Sequence, residues 1–279
     1  VFVVRNDKNW VVDSFGLSGR PTYLGIEQSA RSARFYALAA DEKMVKVIDS
    51  TSYRVIDSYS TLNDEATHMT ISPDGDWAYL VYEKSGYLSR MNLRTGQIDP
   101  RVKLGKQPNY VVYLKEQRLV AVSQGLDQTV LLLDPETLRV VRRISTGSNP
   151  EGLLVVENVL YVAESGDSTV SINDLASRAA QSRMMVGFGP RRLVGTEDQI
   201  FVSNYKNGSL SVLLPGQLGA LQEIFGFGEP LEMVFDDFFR RIYVGDQREA
   251  GLMVIDTNSN QLIRKISLGA KPVGLAIVQ

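Results

Sequence analysis

The chain has 279 residues, of which 44% are hydrophobic and 22% charged, and its formal net charge is −2. Its 30 basic and 32 acidic residues are interspersed without a polybasic run, which argues against a nucleic-acid partner. No apolar stretch is long enough to insert into a bilayer as a spanning helix. The absence of cysteine excludes disulfides, thiolate metal sites and cysteine nucleophiles.

A group of four short apolar runs, which we name A, B, C and D, recurs along the chain. The A runs begin at a Gly-x-x-Pro sequence or a variant of it, and the seven positions that hold the proline or its substitute are Pro21, Ala66, Pro108, Pro150, Pro190, Pro230 and Pro272. These positions are 40 to 45 residues apart. Such a period is typical of the four-stranded blade of a β-propeller.

The runs themselves have the composition of strands. They are four to seven residues long, rich in β-branched and aromatic side chains, and bounded by Gly, Asn, Asp and Ser. The B runs begin at Phe35-Tyr36, Ala78-Tyr79, Leu119-Val120, Leu160-Tyr161, Ile200-Phe201 and Ile242-Tyr243. Ser-Pro-Asp-Gly at 72–75 lies between an A and a B run and predicts a tight turn. The sequence therefore predicts an all-β fold of four-stranded antiparallel blades.

The two ends of the chain predict how the last blade closes. Residues 1–15 match residues 45–59 run for run, so the N-terminus supplies a C and a D run, while 272–279 supplies a lone A run. We therefore expect a single domain over 1–279, a seven-bladed propeller whose seventh blade is split between 1–20 and 272–279. That blade is about 14 residues short of a full period, which is one strand and its turn. We expect the missing B strand to lie outside the chain as given; the alternative is a three-stranded blade.

The repeat resembles that of the bacterial YVTN-type β-propeller proteins. The Gly-x-x-Pro opening, Tyr161-Val162 and Tyr243-Val244 in the B runs, and Val-Ile-Asp at 47–49 and 254–256 in the C runs carry this resemblance, which covers essentially the whole chain. The resemblance implies a WD40-like ring of blades in an exported protein, in the periplasm or on the cell surface. It implies no particular activity, because the repeat residues build blades rather than sites.

Polar residues at the starts of the A runs and in the B–C turns predict a binding face around the mouth of the central tunnel. The side chains expected there are Tyr23, His68, Tyr110, Arg191, Arg192, Glu232, Glu164 and Asp246. Their mixture of hydrogen-bonding, cationic and anionic groups suits a small polar ligand or a peptide. The alternative is that these groups are solvated or paired between neighbouring blades. The next column, which includes Leu24, Met69 and Val111, is apolar throughout and predicts core.

The titratable residues of this face leave several roles open. His68, the one histidine, has the chemistry of a general base or an axial ligand, or is a hydrogen-bonded histidine at the tunnel mouth. Glu232, Glu164 and Asp246 could pair for acid–base work or bind Ca²⁺, but ion pairing with Arg191 and Arg192 is favoured. No serine-nucleophile motif or glycine-rich phosphate loop is present, and we expect no bound cofactor or metal.

Phe238 and Phe239 stand apart, since they occupy a predicted A–B turn on the opposite face. Turn tips are normally polar, so two aromatic residues there predict a partner contact, or they fold back over the blade.

The sequence favours a non-catalytic extracytoplasmic platform that binds a protein, a peptide or another ligand, as a subunit of a larger complex. The alternative is catalytic: in lactonases that resemble this propeller, His, Arg and Glu at the tunnel mouth act on the substrate, and His68, Arg192 and Glu232 could take those roles. A third interpretation is a propeller subunit of a redox enzyme, with the cofactor held by another chain.

Overall fold

The computed structural model describes residues 1–19, 21–29, 32–177 and 182–277. In these ranges the chain consists of strands and loops, and no helix long and apolar enough to cross a membrane is found. It divides into two compact units. Unit I is Leu17–Pro150, and unit II combines Val1–Gly16 with Glu151–Ile277. The single domain over 1–279 stays a prediction.

The strands have these bounds in chain order. The first fourteen are β1 (Phe2–Arg5), β2 (Trp10–Ser14), β3 (Pro21–Ser29), β4 (Ser32–Ala39), β5 (Met44–Asp49), β6 (Val55–Ser60), β7 (His68–Ile71), β8 (Trp77–Tyr82), β9 (Tyr87–Asn92), β10 (Val102–Lys103), β11 (Pro108–Leu114), β12 (Leu119–Gln124), β13 (Thr129–Leu133) and β14 (Val140–Ser145). The others are β15 (Pro150–Val156), β16 (Val159–Glu164), β17 (Thr169–Asp174), β18 (Ser182–Met185), β19 (Pro190–Gly195), β20 (Ile200–Asn204), β21 (Ser209–Leu213), β22 (Ala220–Phe225), β23 (Pro230–Asp236), β24 (Arg241–Asp246), β25 (Gly251–Asp256) and β26 (Gln261–Ser267).

From β3 onward, each four consecutive strands form one antiparallel sheet in chain order. Three such blades belong to unit I and three to unit II, and every blade has the predicted order A, B, C, D. The six predicted B runs lie in β4, β8, β12, β16, β20 and β24. Successive strands pair with their chain neighbours because short turns favour antiparallel hairpins.

The prediction of a seventh blade is wrong. The described residues form six four-stranded blades and a separate two-stranded sheet of β1 and β2, and residues 271–277 contain no strand. The reason lies in the ladder order. An A strand hydrogen-bonds only to B, and A and C are two strand spacings apart, about 9.5 Å. The A run after Pro272 therefore has no B partner, and the N-terminal C and D runs form only a hairpin.

Both chain ends nevertheless pack on the last blade of unit II. Val4 of β1 and Leu275 lie against a buried cluster formed by Tyr243, Leu252, Val254 and Ile266. Gln247 donates from Nε2 to the carbonyl oxygen of Pro272 at 3.1 Å. Side-chain packing thus places the two ends on this blade without a strand ladder between them.

The core of each unit lies between its blades, as the apolar column of the A runs predicts. Met69, Val111 and Leu153 of that column are buried, and so are nearly all residues of the B strands and most residues of the C strands. In unit I one cluster joins the first and second blades and another joins the second and third. In unit II equivalent clusters join neighbouring blades. Burial of these β-branched and aromatic faces is the main stabilising term of the fold.

The aspartates that end three C strands close the C–D turns. Asp49, Asp134 and Asp256 each accept hydrogen bonds through Oδ1 from the backbone N–H and the hydroxyl of the residue three positions on, at 2.7 to 2.9 Å. These bonds lower the pKa of each carboxyl from its usual 3.8. The aspartate at the end of each of these C runs therefore encodes a turn stabilised by a side chain.

These turns make stability sensitive to acid. Because the folded-state pKa is depressed, the carboxylates stabilise the protein above the unfolded-state value of 3.8, and this contribution is lost as the pH falls through the lower folded-state value. Replacing Asp49, Asp134 and Asp256 together by Asn keeps an acceptor oxygen and removes the titration. We expect the urea midpoint of the wild type to fall more than that of the triple variant between about pH 5 and about pH 3. If the urea midpoints of the wild type and the triple variant fall equally, protonation of these three aspartates is not coupled to unfolding.

Candidate functional site

A β-bulge follows the opening proline in four of the A strands and sets the direction of the polar residues. The register shifts by one residue between Pro21 and Tyr23, between Pro108 and Tyr110, and between Pro190 and Arg192, and a wider irregularity follows Pro230. Proline has no N–H for the ladder, and a bulge turns the next side chains away from the regular alternation. Five residues of the predicted binding face therefore come from these irregular strand starts, namely Tyr23, Tyr110, Arg191, Arg192 and Glu232.

In unit I, three of the predicted residues form an aromatic cluster. His68 is the first residue of β7, and its imidazole lies between the rings of Tyr23 and Tyr110, at centroid distances of 4.4 and 4.0 Å. The backbone N–H of Val111 donates to His68 Nδ1 at 3.5 Å. The histidine residue is only 5% exposed. Packing between phenol rings orients the imidazole and leaves little of it open to a substrate.

In unit II, Arg192 is the centre of an ion cluster. Its Nε donates to Glu232 Oε1 at 2.6 Å, and its Nη1 lies 3.5 Å from Glu151 Oε2 and 3.2 Å from the carbonyl oxygen of Arg191. The side chains of Arg192, Glu151 and Glu232 are 15%, 10% and 13% exposed. The guanidinium thus binds the carboxylates of two neighbouring blades, and the favoured pairing of Glu232 with arginine is confirmed.

A glycine makes room for this cluster. Gly152 of β15 stands at the column position that carries a polar side chain in other blades. A Cβ there would lie 2.9 Å from the Arg192 Cα and would overlap the carbonyl oxygen of Arg191. The missing side chain lets β19 approach β15, and Glu151 then reaches Arg192.

The cluster continues through Arg191 to the next loop of unit II. The Arg191 guanidinium lies 4.5 Å from the ring centroid of Tyr205, whose hydroxyl donates to Glu229 Oε2 at 2.9 Å. Glu229 also pairs with Arg248 at 3.1 Å. Burial, together with the Glu229 carboxylate, raises the pKa of Tyr205, and the hydrogen bonds from Tyr205 and Arg248 lower the pKa of Glu229. Cations and carboxylates therefore alternate along the network.

Glu164 and Asp246 are the last residues of β16 and β24, and both are fully buried. Glu164 Oε2 accepts from the Thr169 hydroxyl at 2.6 Å and lies 3.1 Å from Arg183 Nε. Asp246 accepts four backbone N–H bonds, which come from Gly228, Glu229, Arg248 and Glu249 at 2.7 to 3.1 Å. The favoured pairing with Arg191 and Arg192 is therefore wrong for Asp246, and for Glu164 it stays a prediction. Their groups stabilise loops of their own blades.

The last residue of the B strand also holds the B–C turn in other blades. The last residue of the B strand hydrogen-bonds a hydroxyl of the next strand in the pairs Gln124 with Thr129, Asn204 with Ser209, and Tyr82 with Ser89. A Ser or Thr five residues after the polar residue is the sequence signal of this contact at Gln124 and Asn204, whereas Ser89 stands seven residues after Tyr82. This spacing holds at Glu164 and Thr169 but not at Asp246, where Gly251 stands five residues on and backbone N–H groups bind instead.

The predicted ring of eight residues thus consists of two clusters and two turn residues. Tyr23, His68 and Tyr110 belong to unit I, and the other five belong to unit II. Of the proposed catalytic residues, Arg192 and Glu232 are in contact, while His68 is in the other unit. Glu151 was missed, although it directly follows the proline of its repeat. The ligand-binding role of the eight residues stays a prediction.

The turn after β23 carries the two aromatic residues of the opposite face. Phe238 is 83% exposed, the highest value among the large hydrophobic side chains that the structure describes. Phe239 is half-buried, and the two rings meet edge to face with centroids 4.9 Å apart. Phe239 packs back toward the blade and Phe238 projects from it.

Comparisons with known proteins bear on the fold. A family model described as the cytochrome D1 heme domain matches residues 33–153, less than half of the chain. Among solved structures, hydrazine synthase of Kuenenia stuttgartiensis matches with a TM-score of 0.71 and 14% identity, over 91% of this chain and 88% of that chain. The fold is a β-propeller.

Two further solved propellers match more of the chain. U3-55K has a TM-score of 0.79 and 12% identity, over 93% of this chain and 85% of its own. A functionally unknown protein from Desulfotomaculum acetoxidans has a TM-score of 0.81 and 12% identity, over 94% and 90%. No curated protein matches the sequence significantly. At these identities the likeness establishes the fold alone, and the YVTN type stays a prediction.

The heme-domain match raises the question of a haem in this propeller. A haem iron in proteins takes His, Cys, Met or Tyr as its axial ligand, and this chain has one histidine and no cysteine. His68 is only 5% exposed and its imidazole is packed between two phenol rings, so a porphyrin has no open approach to its Nε2. The residues around His68 therefore do not fit a histidine-ligated haem.

Proposed function

We propose that this chain is a non-catalytic, extracytoplasmic β-propeller that binds a protein partner as a subunit of a larger assembly. The observation that carries the proposal is the exposed Phe238 on a rigid turn. The extracytoplasmic location rests on the resemblance of the repeat to those of exported proteins.

The turn that presents Phe238 is held at several points. The backbone N–H of Phe239 donates to Asp236 Oδ1 at 3.1 Å, and the other oxygen of this buried carboxylate accepts from Asn6 Nδ2 at 2.8 Å. Arg241 lies 5.1 Å from the Phe239 ring centroid. Because the turn is fixed before a partner arrives, binding costs little ordering entropy. A projecting aromatic residue on such a base is typical of an interface hot spot.

Charged side chains border the exposed ring. Arg240 lies 3.2 Å from Glu197, 3.8 Å from Asp198 and 3.6 Å from Asp237. An aromatic centre with a charged rim is the usual arrangement of a protein interface.

Replacing Phe238 by Ser is expected to weaken partner binding and to leave stability unchanged. Loss of a hot-spot aromatic residue costs about 2 kcal/mol or more of binding free energy, which is about a thirtyfold loss of affinity. An exposed turn residue changes unfolding by about 0.5 kcal/mol or less. The measurement is quantitative affinity capture from the natural source with cross-linking, followed by titration of the identified partner.

Leu218→Ser is the matched control, because Leu218 is 69% exposed and lies in another turn of unit II. It should bind the partner as the wild type does. If Phe238→Ser and the wild type recover the same partners with the same affinity, Phe238 is not the interface and the proposal loses its support.

The partial match to the heme-domain family favours a second candidate, a propeller subunit of a redox enzyme whose cofactor is held by another chain. The same capture experiment separates the two candidates, since the second requires that the recovered partner carries the redox group. The hydrolase alternative with His68, Arg192 and Glu232 stays a prediction. The carboxylates that occupy the Arg192 guanidinium leave it less free to bind a substrate.

A further inference from the structure

A cavity of about 380 Å³ lies at one end of the blades of unit I. It is formed by the turn between β8 and β9, the loop between β10 and β11, and the turn between β12 and β13. The residues that line it are Glu83, Lys84, Ser85, Gly86, Lys103, Gly105, Lys106, Gln107 and Leu126. Its volume is in the range of small-molecule sites. None of the residues predicted to bind a ligand lines it.

The lining is cationic in a chain that is anionic overall. It holds three lysines and one glutamate, a formal charge of +2, whereas the whole chain carries −2. Lys84 pairs with Glu65 at 2.5 Å. Within the described residues no carboxylate pairs with the ammonium group of Lys103 or Lys106. Two ammonium groups are therefore available to an anion.

Lys103 is held in place by its surroundings. Its Nζ donates to the carbonyl oxygen of Ser85 at 2.5 Å and lies 4.7 Å from the Tyr87 ring centroid. An ammonium has three donors, so two remain for a ligand. The Lys106 backbone N–H donates to Asp127 Oδ2 at 2.7 Å, which fixes the loop from which the Lys106 side chain extends.

Two glycines allow the loops to form the cavity wall. A Cβ at Gly86 would overlap the carbonyl oxygen of Gly105, and both glycines have positive φ, 71° and 154°. The backbone N–H of Leu104 also donates to the Gly86 carbonyl oxygen at 3.0 Å. The wall is thus backbone in close contact, with a geometry that other residues would strain.

A buried donor lies directly beside this wall. Gln124 is fully buried, and its Oε1 accepts from the Thr129 hydroxyl at 3.1 Å. Its Nε2 has no hydrogen-bond acceptor among the described residues and lies 2.6 Å from the position of a Cβ at Gly105, one of the lining residues. A buried N–H group without an acceptor is costly, so an acceptor atom at this wall would be stabilised.

We propose that this cavity binds the anionic group, carboxylate or phosphate, of a small acidic molecule. The ammonium groups of Lys103 and Lys106 contact the anion, and the exposed Leu126 side chain contacts the apolar part of the ligand. Charge-assisted hydrogen bonds of this type are the strong ones in ligand sites. The inference does not depend on a protein partner at Phe238.

The test is calorimetric titration of the purified chain with two probes, inorganic phosphate and glutarate. We expect saturable one-site binding of at least one probe, weakened at least about tenfold in Lys106→Ala and Lys103→Ala and weakened by added salt. The probe that binds more tightly shows whether the natural group is a phosphate or a carboxylate. Lys115→Ala, an exposed lysine at the other end of β12, should bind as the wild type does.

Unfolding midpoints of the variants show whether a loss of binding is a loss of fold. Lys106→Ala is the decisive variant, because the bond to Asp127 comes from the backbone N–H of residue 106 and alanine retains it. Phe238→Ser should retain anion binding, so failure of the two proposals is distinguishable. Absence of saturable binding of both probes, or equal binding by the wild type and Lys106→Ala, would overturn the proposal.

Discussion

Replacing Arg192 by Met is expected to lower the free energy of unfolding by about 3 to 5 kcal/mol, the usual cost of removing one partner from a buried ion cluster. The guanidinium lies between Glu151 and Glu232, and all three side chains are at most 15% exposed. Methionine preserves much of the packing but leaves the two carboxylates without their shared cation. Urea unfolding measures the effect. The stability of Arg192→Lys should lie between those of the wild type and Arg192→Met, because a single ammonium does not reproduce the planar hydrogen-bonding geometry of the guanidinium.

The matched control for this substitution is Arg94→Met. Arg94 pairs with Asp76 at 2.7 Å, but its side chain is 76% exposed, so the loss should not exceed about 1 kcal/mol. A comparable small loss in Arg192→Met would contradict a structural role of the cluster and favour a role in ligand binding or catalysis.

The second large effect is expected at Asp246. Asp246→Ala removes the acceptor of four backbone N–H groups and should cost about 3 to 5 kcal/mol, less than the sum of four bonds because water reaches part of the loop. Asp246→Asn keeps one acceptor oxygen and should cost about 2 kcal/mol. Urea unfolding measures both variants. Hydrogen exchange should show faster exchange of the Gly228, Glu229, Arg248 and Glu249 amides.

Asp237→Ala is the control for Asp246, because the Asp237 side chain is 64% exposed on the opposite turn and should change unfolding by about 0.5 kcal/mol or less. Unchanged exchange of the four amides in Asp246→Ala would show that the backbone bonds do not hold the loop.

The blades could be predicted from the sequence because each is built from local contacts. A strand of this fold pairs with its chain neighbour, so the short apolar runs and the turn residues between them define each blade within about 42 residues. The apolar column at Met69 and Val111 was predicted in the same way. Closure of a seventh blade could not be read from the matching ends, because the A run after Pro272 requires a B strand to pair with.

The contacts of the polar residues were harder to predict, because they depend on the neighbouring blade. Arg192 meets Glu151 and Glu232, which lie 41 and 40 residues away, one repeat in each direction. That spacing is visible in the sequence once the columns are aligned. The burial of Glu164 and Asp246 was not visible, because it depends on the loop that covers the strand end.

The cavity of unit I gave no sequence signal. Lys103 and Lys106 lie before and within an A-run opening, whereas Lys84 and Leu126 belong to the turns of two different blades. Contacts between loops of different blades bring these residues together, among them the close approach of Gly86 to Gly105 and the hydrogen bond from the Lys106 N–H to Asp127. A motif search within one repeat therefore does not find a site that lies between repeats.

We infer that the buried charges of this propeller stabilise it, and we propose that an exposed turn binds its partner. The measurement that tests both statements most directly is partner affinity and urea stability of Arg192→Met and Phe238→Ser, determined side by side. We expect Arg192→Met to lose stability and, in its folded fraction, to bind the partner as the wild type does, while Phe238→Ser keeps its stability and loses the partner. Normal binding by Phe238→Ser, together with lost binding and unchanged stability in Arg192→Met, would contradict both.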